Sequence, residues 1–134
     1  GGNHDRNIVQ QICNNNSYNL EFKNIKYINY PIILLKANNK NYFFGHDLMH
    51  NFRIRGSKVP KYIHYLKQES IFSYLFSSND SLIIGHTHAQ FMNEENKEYC
   101  IGQFSIDALQ FNYATIEYSL NDSFIQLKNW KYQT

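Results

Sequence analysis

Residues 82–88, Leu-Ile-Ile-Gly-His-Thr-His, form an apolar run that stops abruptly at two closely spaced histidines. The apolar part is too short for a typical helix and is rich in β-branched side chains, which predicts a buried strand. Gly85 follows the strand, and glycine permits backbone angles that larger residues resist. His86 and His88 therefore lie just beyond the carboxyl end of a strand, where open α/β sheets place their ligands.

The spacing of His86 and His88 has two interpretations. Residues i and i+2 of a continuing strand face the same side, and a tight turn can also bring them together. Neutral imidazole is the commonest metal ligand in proteins, so this arrangement is compatible with a metal site. A pair of solvated loop histidines explains the same spacing, because a lone His-x-His is a weak signal.

The first five residues, Gly-Gly-Asn-His-Asp, offer a second group of polar side chains. Asn3 provides a carbonyl oxygen, and His4 provides an imidazole that can act as an acid or a hydrogen-bond donor. Asp5 can hold that imidazole in one tautomer, which is the usual role of a carboxylate beside a functional histidine. A polar turn followed by an aspartate N-cap is the ordinary alternative for these residues.

Taken together, Gly-Asn-His-Asp at 2–5 and Gly-His-Thr-His at 85–88 resemble two signature blocks of the calcineurin-like metallophosphoesterase superfamily, in the order of that family. The resemblance covers essentially the whole chain. It implies an α/β fold that is part of a four-layer αββα sandwich with mixed sheets. It also implies that residues 1–134 are the carboxyl-terminal portion of a single domain of this kind.

The family pattern begins with Asp-x-His and Gly-Asp blocks, which are missing before Gly1. In the family these blocks supply metal ligands, including a bridging carboxylate. The resemblance therefore implies that this chain needs the upstream half of the same domain as its partner. As an isolated chain it is expected to be incomplete and inactive.

The resemblance also implies a dinuclear centre of two divalent metal ions, Mn, Fe, Zn or similar, which hydrolyses a phosphomonoester or phosphodiester. Four residues would be metal ligands: Asn3, His46, His86 and His88. His4, held by Asp5, would stabilise developing charge or protonate the leaving oxygen. The class of the phosphorylated substrate stays open among nucleic acids, nucleotides, phosphoproteins and lipid-linked pyrophosphates. The net charge of +2 is too small to favour nucleic acid as anything but a substrate.

The segment around His46 matches the family pattern imperfectly. The family has a strand-terminal His-Gly-Asp or His-Gly-His block here, whose first histidine is a ligand, and that position falls on Phe44. A shift of the loop by one residue would let His46 serve instead. His50, one helical turn further on, is a second candidate, and an impaired or single-metal site is the third explanation.

Two further hypotheses compete with a full-length enzyme. A non-catalytic or single-metal binding module would keep the same scaffold, and the Phe44 mismatch favours it. An unrelated small α/β domain with two chance motifs is the other, because each motif alone is weak.

A basic cluster at Arg53, Arg55, Lys58 and Lys61 also has two interpretations. It is either a phosphate clamp near the site or a solvated basic loop.

The bulk properties set the class of protein. A chain of 134 residues suffices for one domain with a modest core. Cys13 and Cys100 lie far apart without paired zinc spacing, which disfavours a disulfide framework and predicts a reducing, cytoplasmic location. No apolar run reaches the roughly 18 residues of a membrane span, so none is expected.

The remaining pattern predicts the order of elements. A helix is expected over 6–13 and strands over 25–30, 32–37 and 41–44, with 32–37 buried and a turn at Asn38-Asn39. A helix with Pro60 in its first turn should end near Gln68. Further core positions are expected at Ile71, Phe72 and Leu75. Strands over 99–103 and 111–120, and a last strand after Asn121-Asp122, would close the fold.

Overall fold

The computed structural model describes residues 32–49, 54–105 and 109–131 of the chain, which form a mixed α/β structure built mostly of strands. The α/β class predicted from the sequence is confirmed. The strands are β1 Ile33–Ala37, β2 Lys40–Gly45, β3 Ser81–Ile84, β4 Phe91–Asn93, β5 Glu98–Cys100, β6 Phe104–Ser105, β7 Gln110–Tyr118 and β8 Ser123–Lys131. The helix α1 spans Lys58–Gln68, and a short 3₁₀ helix spans Ile71–Leu75. The helix and strand predicted over 6–13 and 25–30 lie outside the described residues.

In the described part of the chain, the first sheet has five strands in the order β1-β2-β3-β5-β4. Its three inner strands, β2, β3 and β5, are mutually parallel, and the two edge strands are antiparallel to their neighbours. All four residues of β3 are buried, which confirms the buried strand predicted at 82–84. Because parallel strands end on the same side, the carboxyl ends of β2 and β3 meet at one edge of the sheet.

Alternate residues of β3 pack against different layers. Leu82 and Ile84 belong to a cluster with Ile63 and Leu66 of α1. Ile83 faces the other way and packs in a cluster that includes residues of the second sheet. This alternation, the normal consequence of strand geometry, gives a helix–sheet–sheet layering in the described part of the chain.

Among the residues that the structure describes, three antiparallel strands form the second sheet, in the order β6-β7-β8. The inward residues Ala114, Ile116 and Leu127 pack against the buried Ile125 cluster between the sheets. This confirms the two closing strands expected from the sequence on either side of Asn121-Asp122. The outward face carries three half-exposed aromatic side chains: Tyr113, Phe124 and Trp130.

The hairpin β1–β2 closes through Asn38 and Asn39, whose φ angles are 52° and 63°. Asparagine tolerates this left-handed region, so the turn predicted there is confirmed. The expectation that 32–37 is buried is wrong in the middle of the strand, where Leu34 and Leu35 are exposed. The reason is that β1 is the outermost strand among the described strands of the sheet, whereas α1 packs over β3 and β5.

The helix α1 ends at Gln68 as predicted and buries Tyr62, Ile63 and Leu66. The core positions expected beyond it are wrong at Ile71, which is 75% exposed, and at Leu75. This segment is a 3₁₀ helix, whose three-residue turn does not place positions i and i+4 on one face. Elsewhere, Cys100 is buried and free, and Cys13 lies outside the described residues.

Two buried charged residues lie between α1 and β5. Glu98 is 1% exposed and Lys67 is 2% exposed. Nδ1 of His64 lies 3.0 Å from Oε2 of Glu98, and the Lys67 ammonium donates to the carbonyl of Asn96. Burial raises the pKa of Glu98, and the neighbouring His64 opposes that shift. Burial of the Glu98 carboxylate is tolerated because the nearby side chains of His64 and Lys67 offset the cost of removing its charge from water.

The raised pKa of Glu98 predicts how stability depends on pH. Between the ordinary glutamate pKa of about 4.5 and the raised value, the native state binds more protons than the unfolded state. The free energy of unfolding contributed by this group should therefore fall as pH rises through that interval. Glu98→Gln, which cannot titrate, should lack the decline when urea unfolding of the full-length protein is compared at several pH values. Parallel profiles for the two proteins would contradict the assignment.

None of the helices in the described segments has the length and apolar character needed to cross a membrane.

Candidate functional site

The parallel pairing of β2 with β3 positions the candidate site. Gly45, the last residue of β2, lies opposite Ile84, the last residue of β3. The chain leaves both strands at the same edge of the sheet, so His46 and His86 emerge side by side although they are far apart in sequence. This is the sheet edge at which α/β proteins commonly bind ligands.

The two imidazoles are in direct contact. Nε2 of His46 lies 3.3 Å from Nδ1 of His86. The ring centroids are 5.2 Å apart and the rings are inclined by 77°. Of the sequence-predicted ligands, the structure thus brings these two together.

In the turn after β3, the two histidines are the residues with unusual backbone angles. The sequence suggests Gly85 for this role, but His86 and His88 have the positive φ values, 50° and 56°. The Thr87 amide donates to the Gly85 carbonyl, which closes a tight turn around His86. A non-glycine residue in this region is strained, and such strain concentrates at functional sites.

Gly85 lies against the His46 ring. A β-carbon at this position would lie 3.4 Å from Nδ1 of His46, an ordinary van der Waals contact, so the position of His46 does not require a glycine there.

A carboxylate lies behind the histidine pair. Oδ2 of Asp47 is 3.7 Å from Nε2 of His86, and these side chains are only 5% and 13% exposed, respectively. The Tyr62 hydroxyl donates to Oδ1 of Asp47, and the Met49 amide lies 3.4 Å from the same oxygen. Sequence reasoning did not assign Asp47 or Tyr62 to the site, although an acidic residue directly after a predicted ligand was an available signal.

Phe44, which occupies the ligand position of the family pattern, packs in the core between the two sheets. His46 follows β2 and lies beside His86, while the choice among the three explanations for the Phe44 mismatch stays a prediction. The competing candidate His50 lies outside the described residues, as do Asn3, His4 and Asp5. His88 is placed on the same loop as His86 and its side chain is exposed.

The donor atoms of the pair suit a divalent ion such as Zn²⁺ or Mn²⁺. Two nitrogens that ligate one tetrahedral ion at about 2.0–2.1 Å stand roughly 3.3–3.4 Å apart, and the separation between His46 and His86 is 3.3 Å. Within residues 32–49, 54–105 and 109–131, no three His, Cys, Asp or Glu side chains are grouped to hold a metal ion. Any complete ligand set therefore has to draw on additional residues.

Three members of the basic cluster, Arg55, Lys58 and Lys61, have exposed side chains, and Arg53 lies outside the described residues.

A scan of this sequence against models of protein families gives no match, and searches of the curated proteins and of the solved structures give no match either.

Proposed function

We propose that the full-length protein containing this chain hydrolyses a phosphomonoester or phosphodiester with a dinuclear divalent-metal centre. This chain would supply the parts of the site at 2–5 and 85–88. The observation that carries the proposal is the contact between His46 and His86, which arrive from separate strands at one sheet edge. The metal-ligand spacing of their nitrogens supports it further.

The proposed ligands are those of the family pattern, with His46 at the position that Phe44 cannot fill: Asn3, His46, His86 and His88. Bound Mn, Fe, Zn or similar ions would polarise a phosphoryl oxygen and activate a water molecule. His4 would donate a proton to the leaving oxygen, and Asp5 would hold its imidazole in the tautomer required. The upstream half of the domain would contribute the missing carboxylate ligands.

The proposed fold is the four-layer αββα sandwich. The helix–sheet–sheet layering of the described residues corresponds to three of those layers. The half-exposed aromatic residues on the outer face of the second sheet, Tyr113, Phe124 and Trp130, are where the fourth, helical layer would pack.

The test compares two histidine variants of the full-length protein supplied with Mn²⁺. His86→Gln removes one imidazole of the pair, whereas His64→Gln removes a half-exposed imidazole on α1. Hydrolysis of p-nitrophenyl phosphate and bis-p-nitrophenyl phosphate should fall on the order of 100-fold or more in the first variant, because the ligand set is broken. Mn²⁺ affinity, measured calorimetrically, should fall at least about tenfold. The His64 variant should match wild type in both.

Equal activity in the two variants would refute the proposal. The second candidate function, a non-catalytic or single-metal binding module, is favoured by Phe44, whose side chain packs between the sheets rather than at the site. It predicts one Mn²⁺ or none per chain by elemental analysis, and no hydrolysis of either ester by the full-length protein.

A further inference from the structure

We infer that Asp47 is a positioning residue for His86, and that Tyr62 holds Asp47 in place. In this arrangement the Asp47 carboxylate faces Nε2 of His86 and favours the proton on that nitrogen, so that Nδ1 of His86 is presented beside His46. The use of this arrangement for metal binding rests on the proposed function, but the orientation is a property of the metal-free protein.

The first support is that the two ring nitrogens of His86 have different neighbours. Nδ1 lies 3.3 Å from Nε2 of His46, and Nε2 lies 3.7 Å from Oδ2 of Asp47. A carboxylate can only accept a hydrogen bond, so the nitrogen facing it is the one favoured to carry the proton. The lone pair of His86 then resides on Nδ1, toward the His46 side.

The second support is that Asp47 is itself anchored to the core. Its Oδ1 accepts from the hydroxyl of Tyr62, whose ring is buried in the cluster formed with α1. The Met49 amide approaches the same oxygen. With one oxygen held from the helix layer, the other is left on the His86 side at low exposure, where electrostatic interactions are weakly screened.

The chemical consequence concerns the metal-binding nitrogen. An imidazole that donates one N–H to a carboxylate has a fixed tautomer and a more basic second nitrogen, which makes it a better ligand. Asp47 also brings a negative charge close to the Asn and His ligands that this chain would supply, which are themselves neutral. The carboxylate would thus act through His86 and would not bind the metal itself.

The first experiment is long-range ¹H–¹⁵N NMR of metal-free, ¹⁵N-histidine-labelled full-length protein at a pH of about 8.5, well above the ordinary histidine pKa of about 6.5. Signals of His86 are assigned from their loss in His86→Gln. Wild type should show the Nε2–H tautomer. Asp47→Ala should show a mixture of tautomers, and Tyr62→Phe an intermediate preference.

Two matched controls separate positioning from general damage. Tyr42→Phe removes a buried hydroxyl that contacts Ser123, on the opposite face of the sheet. Asp80→Ala removes a buried carboxylate that accepts from Asn41 at the other end of β3. Both controls should leave the His86 tautomer unchanged.

The second experiment is a Co²⁺ titration followed by visible absorption. Asp47→Ala should weaken Co²⁺ binding about 10–100-fold, with the same spectrum at saturation because the ligands are unchanged. Tyr62→Phe should weaken binding by a smaller factor, and the two controls should bind as wild type does.

Several outcomes would overturn the inference. These are an Nδ1–H tautomer of His86 in wild type, a changed cobalt spectrum in saturated Asp47→Ala, which would make Asp47 a ligand, and equal losses in the controls. A wild-type protein that has the Nε2–H tautomer but binds no Co²⁺ would support the positioning role and refute the proposed function.

Discussion

Replacement of Glu98 by alanine is expected to lower the free energy of unfolding by about 3–5 kcal/mol. This is the usual cost of removing one of two buried side chains of opposite charge while the other stays buried. Burial lowers the pKa of Lys67, and the electrostatic interaction with Glu98 opposes that shift. Without the carboxylate, the Lys67 ammonium stays buried with reduced compensation, and His64 loses its partner. Urea unfolding of the full-length protein at neutral pH measures the effect.

Glu69→Ala is the matched control, because Glu69 is exposed at the end of the same helix. It should change the free energy of unfolding by less than about 0.5 kcal/mol. The double variant Lys67→Met, Glu98→Leu should be more stable than Glu98→Ala, since it removes both charges and restores apolar volume. A Glu98→Ala protein within about 1 kcal/mol of wild type would show that Lys67 does not depend on the carboxylate.

Ile83→Ala is expected to lower the free energy of unfolding by about 2–5 kcal/mol. Ile83 is fully buried in the centre of β3 and packs between the two sheets with Tyr42, Tyr99 and Ile125. Three carbons are lost from a layer that is held from both sides, so the cavity cannot collapse easily. Thermal and urea unfolding of the full-length protein should both report the loss.

A graded series tests the packing explanation for Ile83. Ile83→Val should cost only about 0.5–1.5 kcal/mol. Leu120→Ala, at an almost fully exposed position of the β7–β8 turn, should change stability by less than about 0.5 kcal/mol. A loss at Ile83 no greater than that at Leu120 would contradict the two-sheet core.

The parts of the fold that were predictable carry local signals. The buried strand β3 follows from three consecutive apolar residues, 82–84, and the β1–β2 turn follows from Asn38-Asn39. The failures arise where tertiary context decides. Leu34 and Leu35 have the composition of a buried strand, but within the described residues they lie on the outermost strand of the sheet.

The candidate site was likewise predictable only in part. His46 and His86 were nominated from motifs at strand ends, and their contact depends on the parallel register of β2 with β3. Asp47 directly follows a predicted ligand, but its contact with Tyr62 joins a loop to α1, and Tyr62 has no sequence pattern of its own. The proposed roles of Asn3, His4, Asp5 and His88 stay predictions.

The connection between β2 and β3 has a consequence for the order of folding. The β1–β2 hairpin closes through two asparagines and can form on a timescale of about 1–10 μs. The β2–β3 pairing must instead bring together strands separated by residues 46–80, and pairings with such sequence separation form late. His46 and His86 therefore come into contact only after this crossover has closed. Binding of an ion to the pair would select chains in which this crossover has closed.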